Sequence, residues 1–578
     1  MYGLPYTECW ALDFEFIAEP GAQPSPVCMV ARELGSGRLL RLWHDDLDVM
    51  PPFRIADDVL FVAYFASAEW GCFAALGWPM PSRVIDLYVE HRAETNGLPS
   101  PMGRGLLAAL AYHGIAAITS DEKHGMRELV RRGGPWSPAE QRAILDYCQS
   151  DVDCLGPLFE RMVLGIRASR EGFGQALLRG RYTVAVARME HAGIPIDAPT
   201  LERIRTYWEP IKLELIGTID KDYGVYESTH FRAGLFAAWL ASEGISWPRT
   251  STGRLLLDQD TFRDMAKTHP HIEPLRQLRH ALGEMRLEDL AVGPDRRNRT
   301  LISPFGARTG RNTPSNTRSV FGPSVWLRGL IRPDPGRGIA YIDWSSQEVV
   351  IAAALSGDPM LQAAIDTGDP YLAFAIRAGL APADASKQTH GEIRSLCKTC
   401  VLGTNYGMGA QSLAFRTGLS VIEAEDLLRR QVRVFPVFTE WAQATIDHGF
   451  LAGRLSTVFG WPIHVTDTVR PTALRNFPMQ ATGAEMLRLA CCLVTEADIT
   501  VCAPVHDALL IEADDADLDQ AVSETRAYMA TASRIVLDGP EAVTDAITVR
   551  YPHRYMDPRG QLMWNRVGEL LHKIAHIR

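Results

Sequence analysis

No run of about 18 apolar residues occurs in the 578-residue chain, so no membrane-spanning helix is expected. The opening Met-Tyr-Gly-Leu-Pro lacks a basic-then-apolar pattern, which excludes a recognisable export signal. The ten cysteines form no spaced framework, and Cys397-x-x-Cys400 has no second pair near it. That argues for packing rather than zinc, and reduced thiols point to a cytoplasmic setting. Internal repeats and low-complexity linkers are also missing, so domain boundaries are soft. Positive charge is short as well: the net charge is -10, which taken whole argues against a nucleic-acid binder. The deficit is uneven. From Arg296 to Arg337 there are nine arginines, no lysine and one acid, Asp334, a local balance of +8 (9 minus 1). Hydrophobic residues make up 46% of the chain, which marks it as globular, and its length suits three to five compact units.

What is present is a set of apolar runs that end on carboxylates. Gly338-Ile-Ala-Tyr-Ile342 leads into Asp343, and Trp344-Ser-Ser-Gln-Glu348 precedes a second apolar run, Val349 to Leu355. The pattern predicts a short buried strand ending at Asp343, then a buried helix. Alone, Asp343 reads as a cap for that helix. A carboxylate held between two rigid elements can also fix magnesium, which takes oxygen ligands and usually one or two protein carboxylates beside substrate phosphates. Val501-Cys-Ala-Pro-Val-His506-Asp507 is another such run, followed by Ala508-Leu-Leu-Ile511. It predicts two strands with His506 and Asp507 at the turn between them. Between the two acids lies Arg394-Ser-Leu-Cys-Lys398-Thr-Cys-Val-Leu402-Gly-Thr-Asn-Tyr406-Gly407. On a helix, Arg394, Lys398, Leu402 and Tyr406 fall four apart and share one face. Such a face can grip a polyphosphate at one end and a base at the other.

Nearer the start, Cys9-Trp-Ala-Leu-Asp13-Phe-Glu15-Phe reads as a strand with Asp13 and Glu15 on one side. Like charges so placed repel, and a bound cation relieves them. Leu60 to Trp70 reads as a strand running into a helix that carries Glu69, and Ile144 to Val152 as a helix with Tyr147 and Asp151 on one face. Residues 170–300 look largely helical. Residues 301–325 read as a polar, arginine-rich loop with Thr309-Gly310-Arg311 and Asn316.

The stretches around Asp343, Arg394–Gly407 and Asp507 resemble motifs A, B and C of the DNA polymerase I family (family A), in order. The N-terminal acids with Tyr147-x-x-x-Asp151 resemble the DEDDy 3′–5′ exonucleases, so the likeness extends over the whole chain. It implies an α/β and α+β multidomain fold: an RNase H-like exonuclease domain followed by a right-hand polymerase of palm, fingers and thumb. The expected divisions are exonuclease at 1–165, mainly helical connection and thumb at 166–300, first palm part with motif A at 301–360, fingers with motif B at 361–470, and second palm part with motif C at 471–578.

The resemblance also implies roles. Asp343 and Asp507 would hold catalytic metal, and Lys398 would stabilise and protonate the leaving group. Arg394, Lys398, Leu402, Tyr406, Gly407, Glu348 and Tyr371 would form the nucleotide site, with Glu348 excluding ribonucleotides. Arg311, Asn316, Asn476, Gln480 and His506 would contact DNA. In the exonuclease, Asp13, Glu15, Glu69 and Asp151 would hold two metals, and Tyr147 would orient the attacking water; Asp86 is a neighbouring alternative ligand. The cofactor implied is Mg²⁺, two per active site, with Mn²⁺ as substitute. Partners would be primer-template DNA, dNTPs and replication accessory proteins, with no membrane, in the cytoplasm of a host if the chain is phage-encoded. No 5′-nuclease domain precedes the exonuclease, which implies a compact, phage-like replication enzyme. The sequence departs from the family at Phe65 and Glu69 (usually Asn and Asp), at Leu402 (usually aromatic), at Tyr371 (often His), at Thr472 (usually Arg) and at Ala508 (usually Glu), so no third acid stands beside the two catalytic ones. An exonuclease-only or RNA-synthesising enzyme, and a catalytically silent DNA-binding scaffold, are the competing classes.

Overall fold

The computed structural model describes residues 3–47, 50–116, 120–168, 171–284, 287, 289–322 and 324–577. Strand β1, Glu8–Ile17, is the spine of the first unit. With β2 (Ser25–Glu33), β3 (Leu39–Trp43), β4 (Val59–Ala63) and β5 (Val84–Asp86) it forms a sheet ordered β3-β2-β1-β4-β5. β1 is antiparallel to β2 and parallel to β4. Both faces of the sheet are covered, which explains why β1 is apolar through most of its length. Trp10, Leu12 and Phe14 enter one core, Cys9 and Ala11 the other.

The period of two then carries Asp13 and Glu15 to the Cys9–Ala11 side. The helix Pro138–Ile166 packs on that side, with Ile144, Cys148 and Val152 in the same core. A capping box between Ser137 and Glu140 sets its first turn, and so the phase at which Tyr147 and Asp151 meet the strand. Asp86 closes β5 and accepts from the N–H groups of Tyr88 and Val89 at the start of the helix Leu87–Thr95. It also accepts from Phe65 N and Ala66 N at 3.0 and 2.9 Å. Its carboxylate is fully engaged by backbone, a structural cap.

The helix Gly172–Ala192 joins this unit to the rest. A side chain at Gly180 would place its Cβ 2.0 Å from the Val84 carbonyl oxygen, so only glycine permits the contact. One residue earlier, Arg179 donates twice to Glu90, at 2.7 Å each.

The second sheet comprises β6 (Arg337–Trp344), β7 (Thr500–Val505), β8 (Ala508–Asp514) and β9 (Thr544–Arg550), ordered β7-β8-β6-β9 and antiparallel throughout. Its register pairs Asp343 with Ala508 on one side and Asp545 on the other. The 171–284 stretch is mostly helical and carries a satellite core around Phe236, Trp247 and Phe262. From that lobe Lys267 reaches across to donate to the Phe415 carbonyl at 3.0 Å. No helix among the described residues is long and apolar enough to cross a membrane.

One expectation changes. The arginine-rich segment 296–337 does not present nine free cations: Arg297, Arg299, Arg328, Arg332 and Arg337 are in ion pairs with Glu512, Asp295, Asp557, Asp197 and Asp514 respectively. Arg308 and Arg318, on the loop, are in no ion pair among the described residues, and Arg311 is near enough to Glu348 and Asp507 to lower their pKa values. After Tyr551 the chain forms the helix Gln561–Ile577. Val567, Leu570 and Leu571, with Met563 and Ile574 beside them, pack this helix into the core that also holds Trp208 and Trp326.

Candidate active sites

The β6 register is what brings the two central acids together. Asp343 lies near the end of β6, opposite the β7–β8 turn, and Trp344 N donates to the Asp507 carbonyl at 3.3 Å. His506 takes a left-handed backbone, φ 56°, in the turn immediately before Asp507. Asp343 is no helix cap: the N-cap of the following helix Gln347–Ser356 is Ser346. Burial raises both carboxyl pKa values, and for Asp343 the charges of Asp507 and Asp545 add to the rise. Asp545 corrects the expectation of a site with no third acid nearby. It enters from β9, directly across from Asp343, and accepts from Ser345 Oγ at 2.5 Å. The neighbouring carboxylates of Asp343 and Asp507 are oxygen donors of the kind that suit a hard divalent ion such as Mg²⁺.

The helix Gly391–Asn405 forms the opposite wall, with Tyr406 at its C-cap. Cys397 and Cys400 face inward and are buried, which leaves Arg394 and Lys398 on the open side. Both stand over the buried ring of Tyr371, at 5.5 and 5.6 Å from its centroid. Tyr371 is thus the floor beneath the two cations, and Arg394 is additionally paired with Asp369. Lys398 is near enough to lower the pKa of both Asp343 and Asp507. The Tyr406 hydroxyl donates to Glu348, and Gln480 also reaches that hydroxyl. Leu402 is half-buried and packs on the core. Gly407 has φ 72°, and a Cβ there would meet Thr472 at 2.9 Å.

Arg311, Asn316 and His506 line one continuous cleft. Its Thr309–Arg311 edge is tied down from several sides. Arg488 donates to the Gly310 carbonyl at 2.7 Å and Trp461 to that of Arg308 at 2.9 Å. From the first unit, Arg92 donates to Gly306 O and Asn96 to Arg308 O. Asn476 and Gln480 lie on the helix Pro471–Glu496, and Asn476 Oδ1 is buried without a hydrogen-bond partner.

In the first unit, oxygens of Asp13, Glu15 and Asp151 lie within 4.8 Å of one another. Burial comes first among the causes that push Asp13 to about 7 and Glu15 to about 9, with mutual repulsion second. Such a cluster also fits a divalent ion. Glu69 is not in that convergent group: it is buried and its carboxylate accepts from Phe14 N at 2.8 Å. Phe65, just before it, has a left-handed φ of 65°. Tyr147 is buried beside the acids. Lys123, which no sequence signal singles out, puts Nζ 2.5 Å from Asp151 and 5.7 Å from the Tyr147 ring centroid.

Fold and sites together set an acidic antiparallel sheet facing a helix that carries Arg394 and Lys398, with a second acidic cluster on the separate five-stranded sheet. The model of DNA polymerase family A matches residues 244–550, more than half of the chain, and the chain belongs to that family. It is 28% identical over 274 residues to a DNA polymerase of Mycobacterium phage D29, covering 45% of this chain and 44% of that protein. It is 23% identical over 453 residues to DNA polymerase I of Aquifex aeolicus, covering 71% and 76%. The chain thus spans less than half of the phage relative's length and about three quarters of the bacterial one. Among solved structures it resembles the POL domain of Pol1 from M. smegmatis in complex with DNA primer-template and dNTP, with a TM-score of 0.70, 18% identity, and coverage of 94% of this chain and 95% of that one. At that identity the likeness is one of fold.

Proposed function

We propose that the chain is a template-directed DNA polymerase that extends a primer 3′-OH with deoxynucleotides, and that its first unit is a 3′–5′ proofreading exonuclease. The observation that carries the polymerase reading is the β6–β8 register, which sets Asp343 beside Asp507 and opposite Lys398 in a chain of this family. Divalent ions held by Asp343 and Asp507 would supply Lewis-acid stabilisation of phosphoryl oxygens and of the attacking hydroxyl. Arg394 and Lys398 bind the triphosphate by charge-assisted contacts, and Tyr371 keeps them splayed above its ring. Lys398 is the proton donor for the departing pyrophosphate. Glu348, held by the Tyr406 hydroxyl, shapes the sugar pocket against a 2′-OH. Arg311, Asn316, Asn476, Gln480 and His506 orient the primer-template through phosphates and minor-groove edges.

In the exonuclease unit, Asp13, Glu15 and Asp151 are the metal holders, with Glu69 behind them, and Tyr147 positions the water. Support comes from the convergence of the three carboxylates on one face of a five-stranded sheet. Residues 301–360 and 471–578 are assigned as palm, 361–470 as fingers, and 166–300 as connection and thumb. Extension of a labelled primer on a DNA template with dNTPs and Mg²⁺ tests the reading. Templated elongation is expected; degradation alone, or incorporation only of ribonucleotides, would overturn it.

A further inference from the structure

Away from both acidic clusters, three side chains converge that neither activity uses. His91 and Glu94 lie three apart on the helix Leu87–Thr95 and so share a face. His113 is the C-cap of the helix Leu106–Tyr112. One donor atom from each lies within 4.8 Å of the other two. His113 Nε2 is 3.3 Å from Glu94 Oε2. His91 is 2% exposed, and its Nδ1 is buried with no hydrogen-bond partner.

A buried ring nitrogen without a partner calls for a specific explanation. Burial, followed by the charges of His113, Arg104 and Arg92, holds the His91 pKa down to about 4. The ring therefore keeps a free lone pair at neutral pH, the form that ligates metal. Two imidazoles and one carboxylate are a donor set for zinc, whereas magnesium prefers oxygen alone. A tetrahedral ion with bonds of about 2.0–2.1 Å places its donors about 3.3 Å apart. His113 and Glu94 already stand at that separation; the Glu94 side chain, 44% exposed, can rotate onto an ion anchored at His91, while the His113 ring, 11% exposed, already faces Glu94 with its Nε2.

We infer that His91, Glu94 and His113 form a binding site for a zinc-class transition metal, with water as the fourth ligand. Its place suggests the purpose. The His464 ring nitrogen lies 3.0 Å from the Glu94 carbonyl oxygen, and Asn96, two residues on, donates to Pro462 O and Arg308 O. A metal here clamps the helix Leu87–Thr95 to the turn at His113, at the seam where the first unit meets the loop carrying Arg311.

The test uses the full chain, stripped with chelator and titrated with Co²⁺ in excess Mg²⁺, which keeps the oxygen-only sites filled. Four-coordinate cobalt with nitrogen ligands absorbs far more strongly in the visible than six-coordinate oxygen-ligated cobalt. The expected result is one equivalent of the intense band per chain, displaced by Zn²⁺, unchanged in Asp13→Ala, and lost in His91→Gln and His113→Gln. Because His91 is buried, Glu94→Gln serves as a second probe on a more open position, and a reduced band is expected there too. Zn²⁺ should also raise the melting temperature of the unmodified chain and not that of His113→Gln. Absence of the intense band from the unmodified chain, or an equal band in all the variants, would overturn the site and leave an ordinary Glu94–His113 ion pair.

Discussion

Glu90→Ala is the substitution that most directly tests how the first unit is fastened to the second. Glu90 and Arg179 form a bidentate pair, both bonds 2.7 Å, with side chains only 4% and 10% exposed. Arg179 also donates to the Phe459 carbonyl at 3.3 Å. Both charged groups are thus largely shut off from water. Removing the carboxylate leaves a buried guanidinium unpaired, a loss of about 3–5 kcal/mol, whereas an exposed pair would cost about 0–1 kcal/mol. Replacing both partners with apolar residues, Glu90→Leu with Arg179→Met, should recover most of that loss, since a buried pair is close to neutral against well-packed hydrophobic groups. Urea unfolding of each variant, followed by tryptophan fluorescence and by limited proteolysis at the seam, measures both effects. Because Arg92 and Asn96 on the same helix hold the Arg311 loop, primer-template affinity should fall in Glu90→Ala and return in the double variant. A loss below about 1 kcal/mol in Glu90→Ala would refute the reasoning, for it would mean that water reaches Arg179.

Asp13→Ala with Glu15→Ala should abolish degradation of a labelled single strand and spare extension, since the two acidic sites lie on separate sheets; undiminished digestion would place the activity elsewhere. Asp545→Asn should raise the Mg²⁺ concentration needed for half-maximal extension by about two- to tenfold, the order expected for one partly screened charge beside Asp343; an unchanged midpoint would make Asp545 a bystander. Leu402 has no hydroxyl to replace a missing 3′-OH, and an unmade polar contact in a closed site costs about 1–3 kcal/mol, so ddNTPs should be disfavoured by roughly ten- to hundredfold. Leu402→Tyr should narrow that gap, and equal incorporation of dTTP and ddTTP by the unmodified chain would show that water supplies the bond instead.

The central acids were legible because their signal is local. An apolar run ending on a carboxylate fixes both the strand and the position of the acid at its end, and Asp343 and Asp507 follow that rule. The Arg394–Tyr406 face is equally local, being one helix with a four-residue spacing. What escaped depends on contacts between distant residues. Asp545 stands beside Asp343 only through the β6–β9 register, and Lys123 meets Asp151 only because two helices cross. The +8 segment misled for the same reason: Glu512 and Asp557, which neutralise Arg297 and Arg328, lie 215 and 229 residues downstream of them, and Asp197, the partner of Arg332, lies well upstream on another element. Glu69 showed its position but not its orientation, since the Phe14 N–H that takes its carboxylate belongs to a neighbouring strand. The helix Gln561–Ile577 carries an apolar stripe at Met563, Val567, Leu570 and Ile574, a periodicity that was there to be read.

Single-turnover nucleotide incorporation by Asp343→Asn and Asp507→Asn, each beside a primer-template binding titration, tests the polymerase reading most directly. Each change removes one carboxylate of the pair proposed to hold metal and neither of the cations proposed to bind phosphate. The expected result is loss of incorporation by at least a hundredfold, about 2.7 kcal/mol of transition-state stabilisation, with DNA affinity nearly unchanged. Incorporation at a tenth of the normal rate or faster in either variant would contradict the assignment of that aspartate.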